Sequence, residues 1–261
     1  MIHLLRSFAK LNSVLQRASL FIVNLKLNLI MNKNGTIVND KKNGHSLEDL
    51  AFEIGEQHIG TSYETPLRKD AFDKTDDEKI RTISWHFEKI METLGLDLDD
   101  DSLRGTPLRV AHMYVKEIFS GLDPAKKPFI ALFENKYKYN QMLVEKNITF
   151  YSNCEHHFVP MMGKVHVAYI SSGKVIGLSK INRIVQYYAK RPQVQERLTI
   201  QIANELRAVL NTRDVAVVID AVHLCVSSRG VHDIQSSTIT AQYEGLFKRE
   251  DIKNEFLAFT K

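Results

Sequence analysis

Only two cysteines occur in the 261 residues, Cys154 and Cys225. A chain of this length buries enough apolar surface to need no covalent staple, and no convincing secretion signal precedes it. A disulfide is therefore the poorer reading of the pair, and metal ligation in a reducing, cytoplasmic setting the better one. Long apolar runs are missing as well. No stretch of about eighteen or more apolar residues exists, so no membrane span is expected. Acidic residues are absent from the first 39 positions, which carry five cations: Arg6, Lys10, Arg17, Lys26 and Lys33. With that arm set aside, the formal net charge of +4 becomes −1 for the rest. The basic balance belongs to the arm and does not point to a nucleic-acid-binding domain. No internal repeat or low-complexity segment is found.

What remains is ordinary for a soluble globular protein, with 44% apolar and 25% charged residues. Residues 1–45 read as a flexible or non-native N-terminal extension. A transit peptide or an anchoring amphipathic helix is the competing reading of its apolar, basic start. The polar stretch Asn32–Thr36 favours the extension, with Met31 as an alternative start. The folded domain is expected over 46–261. A helical part spans about 46–121, opening with a helix near Ser46 whose stripe is Leu47, Leu50, Ala51 and Ile54. Thr75 and Glu78 form a capping-box pattern ahead of Ile80, Ile83, Phe87, Ile90 and Leu94, and Gly95 ends that helix. A third helix starts at Thr106–Pro107 and stops by Gly121.

The pattern then changes over about 140–261. Strands are expected at Ile148–Tyr151, Lys164–Ile170, Val215–Val222 and Ser237–Tyr243. Two helices lie between the strand pairs, starting near Ser179 and Pro192, and a short helix covers Asp251–Phe259. This order implies an α+β domain on an antiparallel sheet, with N-terminal helices and two helices inserted between strand pairs.

Three segments carry chemistry. Cys154-Glu155-His156-His157 follows a strand, and a tight turn there lets Cys154 and His157 converge on one ion. His223 and Cys225, two apart at the end of the strand from Val215, are expected on one face. Three ligands leave a fourth position open for water, the pattern of a catalytic zinc. A closed site with His156 or His223 as fourth ligand stands beside it, as does a pair of buried cysteines with no metal. In the second segment Ser179 is a candidate N-cap, with Lys180 and Arg183 in the first turn, where the helix dipole disfavours cations. An anion held by free N–H groups, both cations and Arg229 would explain that placement, with solvated surface charge as the plainer account. In the third segment Gln195 and Glu196 offer an amide and a carboxylate. A carboxylate suits adjacent N–H donors on a guanine edge, and a surface Arg–Glu pair is the alternative.

Taken together, these segments resemble GTP cyclohydrolase I. The resemblance is carried by Cys154–Phe158, Gly177–Arg183, Arg191–Leu198, Asp220–His223 with Cys225, and Asp101–Leu103 with Thr106, Pro107 and Arg109. It spans about residues 75–260. It implies a tunnelling fold (T-fold), with sheets of several subunits joined into a barrel. It also implies a homodecamer, a dimer of pentamers with active sites at subunit interfaces. The implied reaction takes GTP and water to formate and 7,8-dihydroneopterin triphosphate, with zinc-activated water opening the ring at C8. By position, Cys154, His157 and Cys225 match the zinc ligands, and His156 and His223 the proton-transfer histidines. Gln195 and Glu196 match the guanine-reading pair. Ser179, Lys180, Arg183 and Arg229 match triphosphate ligands, joined by Arg109 of a neighbouring subunit. One departure is His112, where many members carry a lysine.

Overall fold

A computed structural model describes residues 62–261. The expected extension over 1–45 and the helix from Ser46 lie outside the described residues.

Helix α1 (Asp76–Thr93) starts where the pattern places it. The Thr75 hydroxyl accepts from the Glu78 amide, and the Glu78 carboxylate accepts from the Thr75 amide at 2.7 Å. Two otherwise unmatched N–H groups are thereby satisfied. Its expected apolar stripe is only partly covered, with Ile80 buried but Ile90 and Leu94 exposed. Helix α2 (Thr106–Met113) is shorter than expected. The chain continues through a π turn at Tyr114–Ile118 and a 3-10 turn at Ser120–Leu122.

Strands β1 (Leu132–Glu134), β2 (Met142–Cys154), β3 (Pro160–Ile170) and β4 (Lys174–Ile176) follow. After them come α3 (Leu178–Ala189), the two-residue β5 (Pro192–Gln193) and α4 (Gln195–Leu210). The chain closes with β6 (Val215–His223), the single turn α5 (Leu224–Ser227), β7 (Thr238–Tyr243) and α6 (Glu250–Thr260). β1 and β4 form a small antiparallel pair that the sequence pattern does not reveal. The main sheet has the order β5-β2-β3-β6-β7. It is antiparallel throughout, apart from β5, which runs parallel to the end of β2. The α+β class and the two helices between strand pairs are therefore as expected. The second of those helices begins at Gln195 rather than Pro192, because Pro192 and Gln193 pair with Asn153 and Cys154.

Over Val215–Ile219 β6 is covered on both faces, which explains the apolar run there; Asp220 after it is exposed. Val215, Val217, Ile219 and Ala221 meet Ile181, Ile184 and Val185 of α3 and Leu198, Ile202 and Leu206 of α4. Ala216 and Val218 face Phe247 and Phe256 on the other side. Each large aliphatic side chain buried this way contributes about 1.5–3 kcal/mol. β3 and β6 approach closely at Gly163, where a Cβ would fall 2.0 Å from the Asp220 carbonyl oxygen. That contact admits only glycine, and it holds β3 against the strand that leads to Cys225.

Candidate metal centre and substrate site

The end of β2 delivers Cys154, and the next four residues fold back as a pinned turn. The Phe158 amide donates to the Cys154 carbonyl at 2.9 Å, and the Cys154 amide donates to the Val159 carbonyl at 2.9 Å. The Glu155 amide donates to the Gln193 carbonyl at 3.0 Å, tying the turn to β5. Phe158 adopts a left-handed backbone at φ 55°, and its carbonyl accepts from the Asn153 amide group at 3.1 Å. These bonds set the turn that brings His157 over Cys154.

Cys154 Sγ, a His157 ring nitrogen and Cys225 Sγ lie within 4.8 Å of one another. Two thiols and an imidazole are a donor set that fits zinc. Tetrahedral bonds of about 2.3 Å to sulfur and about 2.0 Å to nitrogen need ligand atoms only slightly closer than this. His157 is exposed, while Cys154 is buried and Cys225 half-buried. Burial, then the neighbouring Cys154, push the Cys225 thiol up, and Arg229 opposes them. Burial, with the positive Arg229 next, pulls the His157 imidazole down. A cation between the three groups would offset the burden of keeping both thiolates ionised.

The route by which Cys225 reaches the site differs from the expected one. β6 ends at His223, and Leu224–Ser227 form a helical turn. The alternation of a strand therefore does not apply to the pair. Cys225 comes in from the helical turn, while His223 turns to α4, where its Nε2 lies 2.7 Å from Gln195 Oε1. His223 is half-buried, which pulls its imidazole down, and the nearby Glu196 carboxylate opposes the shift. His156 Nδ1 stands 3.7 Å from Cys154 Sγ, so it borders the cluster.

One buried contact escaped the sequence reading. Arg197 is 4% exposed. It makes an ion pair with Glu155 of the metal turn and donates to Gln193 Oε1 at 2.9 Å. The surface Arg–Glu pair weighed for this block is thus replaced by a buried one between residues 42 positions apart. No spacing rule reveals such a pair.

The expected anion site also shifts. Gly177, not Ser179, occupies the N-cap of α3, and it makes no side-chain cap. The helix begins one residue earlier than Ser179, because the chain leaves β4 at Gly177 in an extended conformation. Ser179 and Lys180 lie in its first turn, which holds no acid, and Arg183 lies in the second. Ser179, Arg183, Glu196 and Arg229 are exposed. Arg183 shares a cavity of about 210 Å³ with Lys126, Tyr187 and Lys190. The Gln195 side chain, by contrast, is turned into the protein. Arg109 is held at its own helix start, donating to Thr106 Oγ1 at 3.1 Å, and His112 is exposed 3.7 Å from Glu117. No described helix is long and apolar enough to cross a membrane.

Residues 83–261 match the family model for GTP cyclohydrolase I. A GTP cyclohydrolase 1 of Flavobacterium johnsoniae is 62% identical over 82% of this chain and 96% of its own length. Those of Citrobacter koseri and an Escherichia coli strain are 52% and 51% identical, each over 81% of this chain and 96% of their own. The apo archaeosine synthase QueF-Like aligns over 41% of this chain at 19% identity, with a TM-score of 0.35, a likeness too low to argue from. With the Cys154–His157–Cys225 cluster in place and relatives of this identity along four-fifths of its length, the chain belongs to the GTP cyclohydrolase I family.

Proposed function

We propose that this chain catalyses the reaction of its family: GTP and water give formate and 7,8-dihydroneopterin triphosphate. The observation that carries the proposal is the convergence of Cys154, His157 and Cys225 within 4.8 Å. These three residues would hold a zinc ion. When bound, zinc supplies Lewis acidity and activates water at neutral pH.

The chain's own residues supply the rest. The exposed Glu196 carboxylate, in the first turn of α4, accepts from the adjacent N–H donors of guanine. Ser179 and Lys180 meet the triphosphate at the acid-free start of α3, and Arg183 and Arg229 add guanidinium contacts. His156 beside Cys154 and His223 beside Gln195 hold and move protons, first for purine opening and then for ribose opening. The Arg197–Glu155 pair keeps the metal turn against α4, so the ring and the metal meet in one place.

The T-fold assembly belongs to the same proposal: a homodecamer of two pentamers, with Arg109 and His112 reaching a neighbour's triphosphate. In support, β7 is an edge strand of the sheet among the described residues. Ile239 on β7 and Val231 and Ile234 before it are exposed apolar residues of the kind a second subunit covers. The domain reading, an N-terminal extension before one catalytic domain, is retained alongside it.

The deciding experiment incubates zinc-loaded protein with GTP, oxidises the product and reads neopterin fluorescence with formate. Stoichiometric formation of both is expected. No product from zinc-loaded protein refutes the proposal. Mass photometry of the same sample tests the decamer.

A further inference from the structure

We propose that Gln195 is a positioning residue for His223 rather than a guanine ligand, and that His223 exchanges protons through Nδ1. This deepens the reading above and rests on it. Gln195 opens α4 and is 2% exposed. Its Nε2 lies 3.2 Å from the Ile219 carbonyl, 2.8 Å from the Thr238 carbonyl and 3.1 Å from Thr240 Oγ1. Carbonyl oxygens only accept. The nitrogen of the amide must therefore face β6 and β7, and the oxygen must face the other way.

That oxygen lies 2.7 Å from His223 Nε2. An amide oxygen also only accepts, so Nε2 carries the hydrogen. A neutral imidazole has a single N–H, which leaves Nδ1 as the atom with a free electron pair. The clamp is closed on its far side by Thr199. Its hydroxyl stands 2.6 Å from Thr240 Oγ1 and donates to the Gln195 carbonyl at 2.8 Å. Three elements, α4, β6 and β7, thus agree on one orientation of the amide.

The neighbouring residue shows the contrast. Glu196 is exposed and carries an acceptor that a purine can reach. Gln195 is buried with both N–H groups spent and its oxygen engaged. Moving the amide toward a base would take the Gln195 oxygen from the His223 N–H and the Gln195 N–H groups from their acceptors on β6 and β7, and a buried donor left unpaired costs about 1–3 kcal/mol. The two residues are adjacent in sequence, but one faces ligand and the other holds the proton carrier.

The test compares Gln195→Met, which keeps the volume and removes the hydrogen bonds, with Glu196→Gln. For Gln195→Met, kcat is expected to fall about 10- to 100-fold, part of what a positioned acid–base group contributes. KM for GTP should stay within about twofold, because ground-state guanine contacts are intact. Zinc content and the preference for GTP over inosine triphosphate, which lacks the 2-amino group, should also stay. Glu196→Gln should raise KM and narrow that preference. A Gln195→Met variant that raises KM and narrows the preference as Glu196→Gln does overturns the assignment. Because the amide is buried, a second measurement stands apart from the variants. 15N-histidine NMR of the zinc-loaded wild type should show His223 protonated at Nε2, and a bare Nε2 refutes the proposal even if every variant fails to fold. Failure of the wild type to turn over GTP would instead sink the reading above, and leave the tautomer result to judge the clamp.

Discussion

Replacing Arg197 by methionine should loosen the metal turn from a distance. The guanidinium is buried, pairs with Glu155, and donates to Gln193 Oε1 at 2.9 Å and to the Ser62 carbonyl at 3.3 Å. Methionine fills most of the space but leaves the Glu155 carboxylate without its counter-charge. Breaking a wholly buried pair costs about 3–5 kcal/mol. The Glu155 side chain keeps 18% of its exposure, so water recovers a part, and about 2–4 kcal/mol is expected. At about 2–4 °C per kcal/mol for a domain of this size, the melting temperature should fall about 4–16 °C. Glu155 sits between Cys154 and His157, so the same loss should appear in the metal. Outer partners of metal ligands are worth about 10–100-fold in affinity, and a loss in that range is expected by competition with a zinc-sensitive dye. Adding Glu155→Gln removes the orphaned charge, and the double variant should recover most of the stability. An Arg197→Met protein that melts at the wild-type temperature and holds zinc as tightly as the wild type would refute the reasoning.

Cys225→Ser should lose both zinc and turnover, read by metal analysis and the neopterin assay; full metal in that variant would remove Cys225 from the ligand set. His156→Ala should keep its zinc and lose turnover, and loss of the metal would move His156 among the ligands. His166 on β3 is buried with no partner for Nδ1 among the described residues, and burial, then Lys146, pull its imidazole below the usual 6.5, with Asp220 opposing and Lys164 adding. Its protonation is therefore resisted in the folded state, so stability should be full above about pH 6.5 and decline as pH falls through and below that value. Urea midpoints from pH 7.5 to 5 should show a shallower decline for His166→Gln than for the wild type; equal slopes would contradict the assignment.

Short-range features were readable from the residues alone. Thr75 and Glu78 satisfy each other across three positions, so their pattern and their structure coincide. The apolar run over Val215–Ile219 announces a strand covered on both faces, because no polar face is left to it. Cys154 and His157 sit three apart on one turn, so their convergence needs only local geometry. The long blocks in order were enough to mark the family. Other features depended on what lies across the fold. A serine ahead of a helix looks like a cap, but the exit of the chain from β4 puts Gly177 at that place instead. His223 and Cys225 look like strand neighbours, but the ladder stops at His223 and the chain coils. Most of all, Gln195, Glu196 and Arg197 are three consecutive polar residues with nothing in their order to rank them. Helical geometry turns them about 100° apart from one to the next. Only the packing of α4 on the sheet decides that Gln195 meets Ile219, Thr238 and His223, that Arg197 meets Glu155, and that Glu196 is left open for a ligand.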